Sequence, residues 1–79
     1  MDIKCELIEH IATLSTSRGG WTKEVNIIRW NDGAAVYDVR AWSPDRDRSS
    51  KGVTLTEYEM NVFLATMQGR KDSEKNQSN

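Results

Sequence analysis

The residues with chemistry to offer are three tryptophans and the bases beside them: Trp21 with Lys23, Arg29 with Trp30, and Arg40 with Trp42, followed by Arg46, Arg48 and Lys51. Indoles are flat platforms on which nucleobases stack, and cationic side chains follow a phosphate backbone. Single-stranded nucleic acid needs both on one wall, which strands can supply. A plainer reading stands beside this one, in which the tryptophans are core residues of a small domain and the arginines lie on them for solubility. Composition leaves both open, with Trp21 the more structural of the indoles and Trp42, which shares its face with Asp38 and Arg40, the more exposed.

Catalytic constellations lack their parts. His10 is the lone histidine, with no cysteine nucleophile or metal-spaced partner around it, and it reads as a satisfied structural residue. There is no glycine-rich phosphate loop, and Gly19-Gly20 is better explained as a turn. In the run Asp45 to Arg48 opposite charges alternate on a polar loop, short of the convergent oxygens and set glycine of a calcium site. No enzyme activity, metal or cofactor is therefore expected. Cys5 is the single cysteine, so an intrachain disulfide is excluded; the apolar run CELI makes it a small buried hydrophobe in a reducing setting.

Seventy-nine residues make one domain, with 37% hydrophobic and 29% charged residues in the range of a folded globular chain. The net charge of −1 argues against a generic basic coat for nucleic acid. Its distribution is more telling, because residues 18–51 hold seven bases against five acids, and all three tryptophans lie there. No apolar run approaches the roughly twenty residues of a membrane span, and the acidic N-terminus is unlike a secretory signal, so a cytoplasmic location is expected.

The elements that must position these residues follow from periodicity. From Asp2 to Ser15 the apolar residues fit neither period cleanly, since Ile3, Cys5 and Leu7 alternate while Leu7, Ile8, Ile11 and Leu14 are spaced like a helix face. The β-branched content and the turn signal STSRGG favour a strand with a bulge or bend near Glu9 and His10. Trp21 to Asn31 reads as a second strand, NDGAA as a hairpin loop built on its Asp-Gly pair, and Val36 to Trp42 as a third strand that Pro44 ends. Alternation assigns Val25, Ile27, Tyr37, Val39 and Ala41 to the core side, leaving Asn26, Ile28, Trp30, Asp38, Arg40 and Trp42 opposite. Val53 to Leu55 makes a short last strand. Thr56 and Glu59 form a capping box that opens a helix, Met60, Phe63, Leu64 and Met67 give it one apolar stripe, and Gly69 is placed to stop it. Residues 70–79 contain no apolar residue and read as a disordered tail to a domain of residues 1–69. One helix covers only one face of such a sheet, so the other must be solvated, bind something or meet a second subunit.

The words DVRAW (Asp38 to Trp42) and KGVTLT (Lys51 to Thr56), in this order of elements, resemble the positive cofactor four family of transcriptional coactivators. The span from GWTKEVNIIRWND through WSPD to KGVTLTEYE resembles the bacterial YdbC-type branch most. The resemblance covers roughly residues 3 to 68. It implies an α+β fold in which a four-stranded antiparallel curved sheet is followed by one C-terminal helix (β-β-β-β-α), with a homodimer formed through Met60, Phe63, Leu64 and Met67. It also implies sequence-tolerant binding of single-stranded DNA in a channel on the sheet, serving transcription, replication or repair. Position by position, the family's arginine falls on Arg40, its following aromatic on Trp42, its lysine before glycine on Lys51, its aromatic before the hairpin on Trp30 and a basic residue of the second strand on Lys23, with Arg29 added here as a phosphate contact. One residue fewer separates Arg40 from Trp42 than in the eukaryotic members. RNA is the alternative ligand, and an aromatic face that docks on a transcription or replication protein is the alternative of another class.

Overall fold

The computed structural model describes residues 5–77, with side-chain surroundings as far as residue 73. The expected start of the first strand, from Asp2 to Lys4, lies outside the described residues. Four strands, β1 (Cys5–Thr16), β2 (Thr22–Trp30), β3 (Ala35–Trp42) and β4 (Val53–Leu55), form an open antiparallel meander in sequence order, followed by helix α1 (Glu57–Gln77). The expected fold class is the observed one.

The sheet is bent by its own sequence. Twelve residues of β1 run against nine of β2, and the pairing shifts between Leu7 and Glu9, His10 and Ala12, and Thr13 and Ser15. Ile8, Ile11 and Leu14 are the three extra residues. Each such bulge kinks and twists the strand that carries it, so the single bend expected near Glu9 and His10 is in fact three, two of which flank that pair.

The β2–β3 hairpin turns on Asn31 and Asp32, both with positive φ (48° and 64°), and the Gly33 N–H donates to the Trp30 carbonyl at 2.8 Å. Two left-handed residues in succession match the right-handed twist of the flanking strands. Asn-Asp, not the Asp-Gly pair, therefore holds the central positions. The second close approach belongs to Gly52: a Cβ there would lie 2.5 Å from the Arg40 Cβ and 2.6 Å from the Val39 carbonyl oxygen. Only glycine lets the chain enter β4 so tightly against β3.

The capping box closes as its sequence requires. The Glu59 N–H donates to the Thr56 hydroxyl at 3.1 Å, and the Thr56 N–H donates to the Glu59 carboxylate at 2.8 Å. Glu57 and Glu59 in the first turn also suit the positive end of the helix dipole. Gly69 does not stop α1, which runs on to Gln77 through part of the segment read as a disordered tail. The physical reason is local. No proline follows Gly69, and one mid-helix glycine costs only about 1 kcal/mol relative to alanine.

The core is small and lies on the side of the sheet opposite to the one expected. Residues paired across an antiparallel ladder share a face, so Leu7, Ile28 and Val36 lie together, as do His10, Asn26 and Asp38. This face holds the fully buried side chains Asn26, Ile28 and Asp38, with Glu24 almost as deep. The expected core residues Val25, Ile27, Tyr37, Val39 and Ala41 are only half-buried within the subunit. Alternation located the two faces correctly and misjudged which is covered, because Arg40 of β3 and Arg46 of the following loop fold down onto the polar residues. Met60 is the buried member of the helix stripe, while Phe63, Leu64 and Met67 are 49%, 58% and 40% exposed.

Candidate nucleic-acid interface

The face that carries Trp30 and Trp42 is organised around two buried carboxylates. On β3, Asp38 receives the Arg40 guanidinium: Nε donates to Oδ1 and Oδ2 at 2.9 and 2.8 Å, and Nη2 lies 2.7 Å from Oδ1. So clamped, Arg40 is only 13% exposed and lies over the Trp30 ring with its guanidinium carbon 5.1 Å from the centroid. On β2, Glu24 receives Arg46 in a two-pronged contact at 2.8 and 3.1 Å, together with the Thr22 hydroxyl at 2.6 Å and the Asn26 amide at 3.1 Å. Arg46 in turn lies 5.2 Å over the Trp42 ring. The Arg46 hydrogen bonds, ahead of the opposing effect of burial, hold the Glu24 carboxyl down from 4.5 to about 2. Glu24 correspondingly raises the Arg46 pKa.

His10 completes this network. Its Nδ1 lies 2.6 Å from the Asn26 side-chain oxygen and its Nε2 lies 3.3 Å from the Thr13 hydroxyl, so the ring is satisfied on both edges. A line of hydrogen bonds thus runs from β1 through Asn26 to Glu24 and Arg46. Polar groups this deep are tolerated because each finds a partner.

Arg46 reaches the sheet because its loop is tied. The buried Ser43 hydroxyl donates to Asp45 at 2.6 Å and accepts from the Arg48 N–H at 3.0 Å, and the Arg46 N–H donates to the Ser43 carbonyl at 2.8 Å. Ser43 and Asp47 are also the donors that pull the Asp45 pKa below its usual value. The D-R-D-R run is therefore a structured device. Arg48 lies 5.9 Å over Trp21, which gives that indole a place in the same loop.

The sequence-predicted residues divide between two faces. Trp30, Arg40 and Trp42 share one, although Arg40 stacks on Trp30 and leaves Trp42 to Arg46. Lys23 and Arg29 point to the other, opposite Ala41 and Ala35. Arg29 is engaged there by Glu6, with its Nη2 at 2.9 Å from the carboxylate, which raises its pKa. Lys23 meets Lys51 in a shallow groove whose wall also includes Arg40, Ser50 and Gly52. Sequence reasoning passed over Glu24, Asn26 and the placement of Arg46. The signal available was the polar alternation Thr22, Glu24, Asn26 leading into Ile28 and Trp30 on one face.

The segment that builds this face is also the segment that matches a known family. The family model described as Transcriptional Coactivator p15 (PC4) matches residues 17–66, from the turn before β2 into the helix. The chain belongs to that family. A protein of Treponema pallidum (strain Nichols), described as an uncharacterized protein, is 48% identical over 59 residues, which span 75% of this chain and 69% of the relative. Members of the PC4 family are non-enzymatic and bind nucleic acid in transcription coactivation. Among the described residues of this PC4-family chain no helix is long and apolar enough to cross a membrane.

Proposed function

We propose that this PC4-family protein binds single-stranded DNA as a homodimer, with little sequence preference, on the sheet face that carries Trp30 and Trp42. The observation that carries the reading is the pair of indoles on one face, each topped by a guanidinium that a buried carboxylate fixes in place. Bases stack on guanidinium planes as well as on aromatic rings, and each stack is worth about 1–3 kcal/mol by alanine substitution. Lys23 and Lys51, which line one groove together with Arg40, supply phosphate contacts. Arg29, held by Glu6 on that second face, contributes less. The uncovered stripe of Phe63, Leu64 and Met67, anchored by Met60, supports dimerisation through α1, since about half of each of these large apolar side chains is left in water by one subunit.

Titrating the protein with oligo-dT while following tryptophan fluorescence tests this reading. Stacking quenches the indoles, and affinity falls with salt by a log–log slope of about −0.7 for each phosphate released. A face used to dock another protein leaves the fluorescence unchanged, and competition by oligo-U at equal length would assign the site to RNA. Salt-insensitive binding, or wild-type affinity in both Arg40→Ala and Trp42→Ala, removes the site assignment.

A further inference from the structure

Beside Trp42 lies a recess of about 360 Å³ lined by Cys5, Leu7, Ile28, Trp42 and Arg46. It falls at the lower end of the roughly 300–1,000 Å³ of ligand pockets, with an apolar floor, an aromatic wall and a cation at its margin. The Trp42 indole Nε1–H is enclosed and has no hydrogen-bond partner, alone among buried side-chain polar atoms of the described residues. An unpaired buried donor costs about 1–3 kcal/mol, and in a native structure it calls for an explanation. Arg46, whose guanidinium lies over the Trp42 ring, is itself committed to Glu24.

We infer that this recess takes one nucleobase edge-on and that Trp42 Nε1–H donates to an exocyclic carbonyl of that base. The inference rests on the proposed single-strand binding and adds a preference to it. Thymine, cytosine and guanine carry such a carbonyl and adenine does not. Leu7, half exposed above the buried Ile28, supplies the apolar contact that any base would accept, so the floor tolerates sequence while the single donor discriminates. Arg46 also walls a second recess with Leu7, His10, Thr13 and Glu24.

The test uses the full chain with ¹⁵N-labelled indoles, a thymidine hexamer, and the same hexamer with 2,4-difluorotoluene replacing every base, which keeps the shape and removes the carbonyl acceptors. The thymidine hexamer is expected to move the Trp42 indole N–H resonance downfield. The difluorotoluene hexamer is expected to bind about five-fold more weakly, the worth of one neutral hydrogen bond, and to leave that resonance short of the downfield position. Equal affinity of the two hexamers, or the same displacement of the Trp42 resonance by both, overturns the carbonyl contact while leaving single-strand binding intact. If neither hexamer binds, the single-strand reading itself falls and takes the recess with it.

Discussion

Glu24 is where the polar face of the sheet is most open to a quantitative test. Its carboxylate is 4% exposed and accepts from Arg46, Thr22 and Asn26, with Arg46 the leading cause of a pKa held from 4.5 down to about 2. At about 1.4 kcal/mol per pH unit this difference corresponds to about 3 kcal/mol of folding free energy. The Arg46 side chain is 46% exposed, so water screens the pair and about 2 kcal/mol is the expected contribution. The unfolded carboxyl binds its proton near 4.5 and the folded one only near 2. The contribution is therefore complete above pH 4.5 and is lost as pH falls from there towards 2. Urea unfolding of the wild type and of Glu24→Gln, at one fixed protein concentration because the proposed dimer would make stability concentration-dependent, measures it. Glutamine keeps the size and an acceptor oxygen but leaves Arg46 without a counter-charge. The variant should be about 2 kcal/mol less stable at neutral pH, and the two curves should converge towards the acid end of that window. Curves that stay parallel through the window would refute the reasoning, since acid lability would then come from other carboxylates.

Gly52→Ala places a Cβ 2.5 Å from that of Arg40, so β4 must shift; a loss of about 2 kcal/mol is expected in thermal unfolding, and an unchanged Tm would show that the approach relaxes freely. Asp32→Val puts a β-branched residue at φ 64° and should cost about 1–2 kcal/mol in the same measurement, with no loss arguing against the left-handed turn. Phe63→Asp should dissociate the proposed dimer and unfold the subunit, because the charge would be buried without a partner; a stable monomer or an intact dimer in analytical ultracentrifugation counts against that interface.

Elements with one strong local signal were legible in the sequence. The capping box at Thr56 and Glu59, the hairpin between Trp30 and Ala35, and the short strand after Gly52 each depend on residues within a few positions of one another. Burial was less legible because it depends on what lies across the ladder. Arg40 and Trp42 do share a face, as alternation requires, yet Asp38 draws Arg40 back onto Trp30, and Arg46 arrives on Trp42 from a loop. Nothing in the spacing of Arg46 relative to Glu24, twenty-two positions apart, announces their ion pair. The end of α1 was misread for another reason. Gly69 is a stop only if the chain beyond it gains by leaving the helix, and the polar residues that follow are adequate helix formers.

The ambiguity of β1 has a definite physical source. A bulge adds one residue to the two-residue repeat of a strand, so three successive bulges turn period two into period three. Leu7, His10, Thr13 and Thr16 then stand opposite Ile28, Asn26, Glu24 and Thr22, which advance by two. The two strands contribute to one face with different spacings, and only the partner's spacing is regular. The extra residues Ile8, Ile11 and Leu14 inherit the same step of three, which lies close enough to 3.6 to imitate a helix. A face assignment for β1 therefore follows from its register with β2 and from nothing in β1 alone. The same register brings Cys5 and Leu7 beside Ile28 in the recess next to Trp42, so the irregularity that obscured the strand in the sequence also shapes the candidate site.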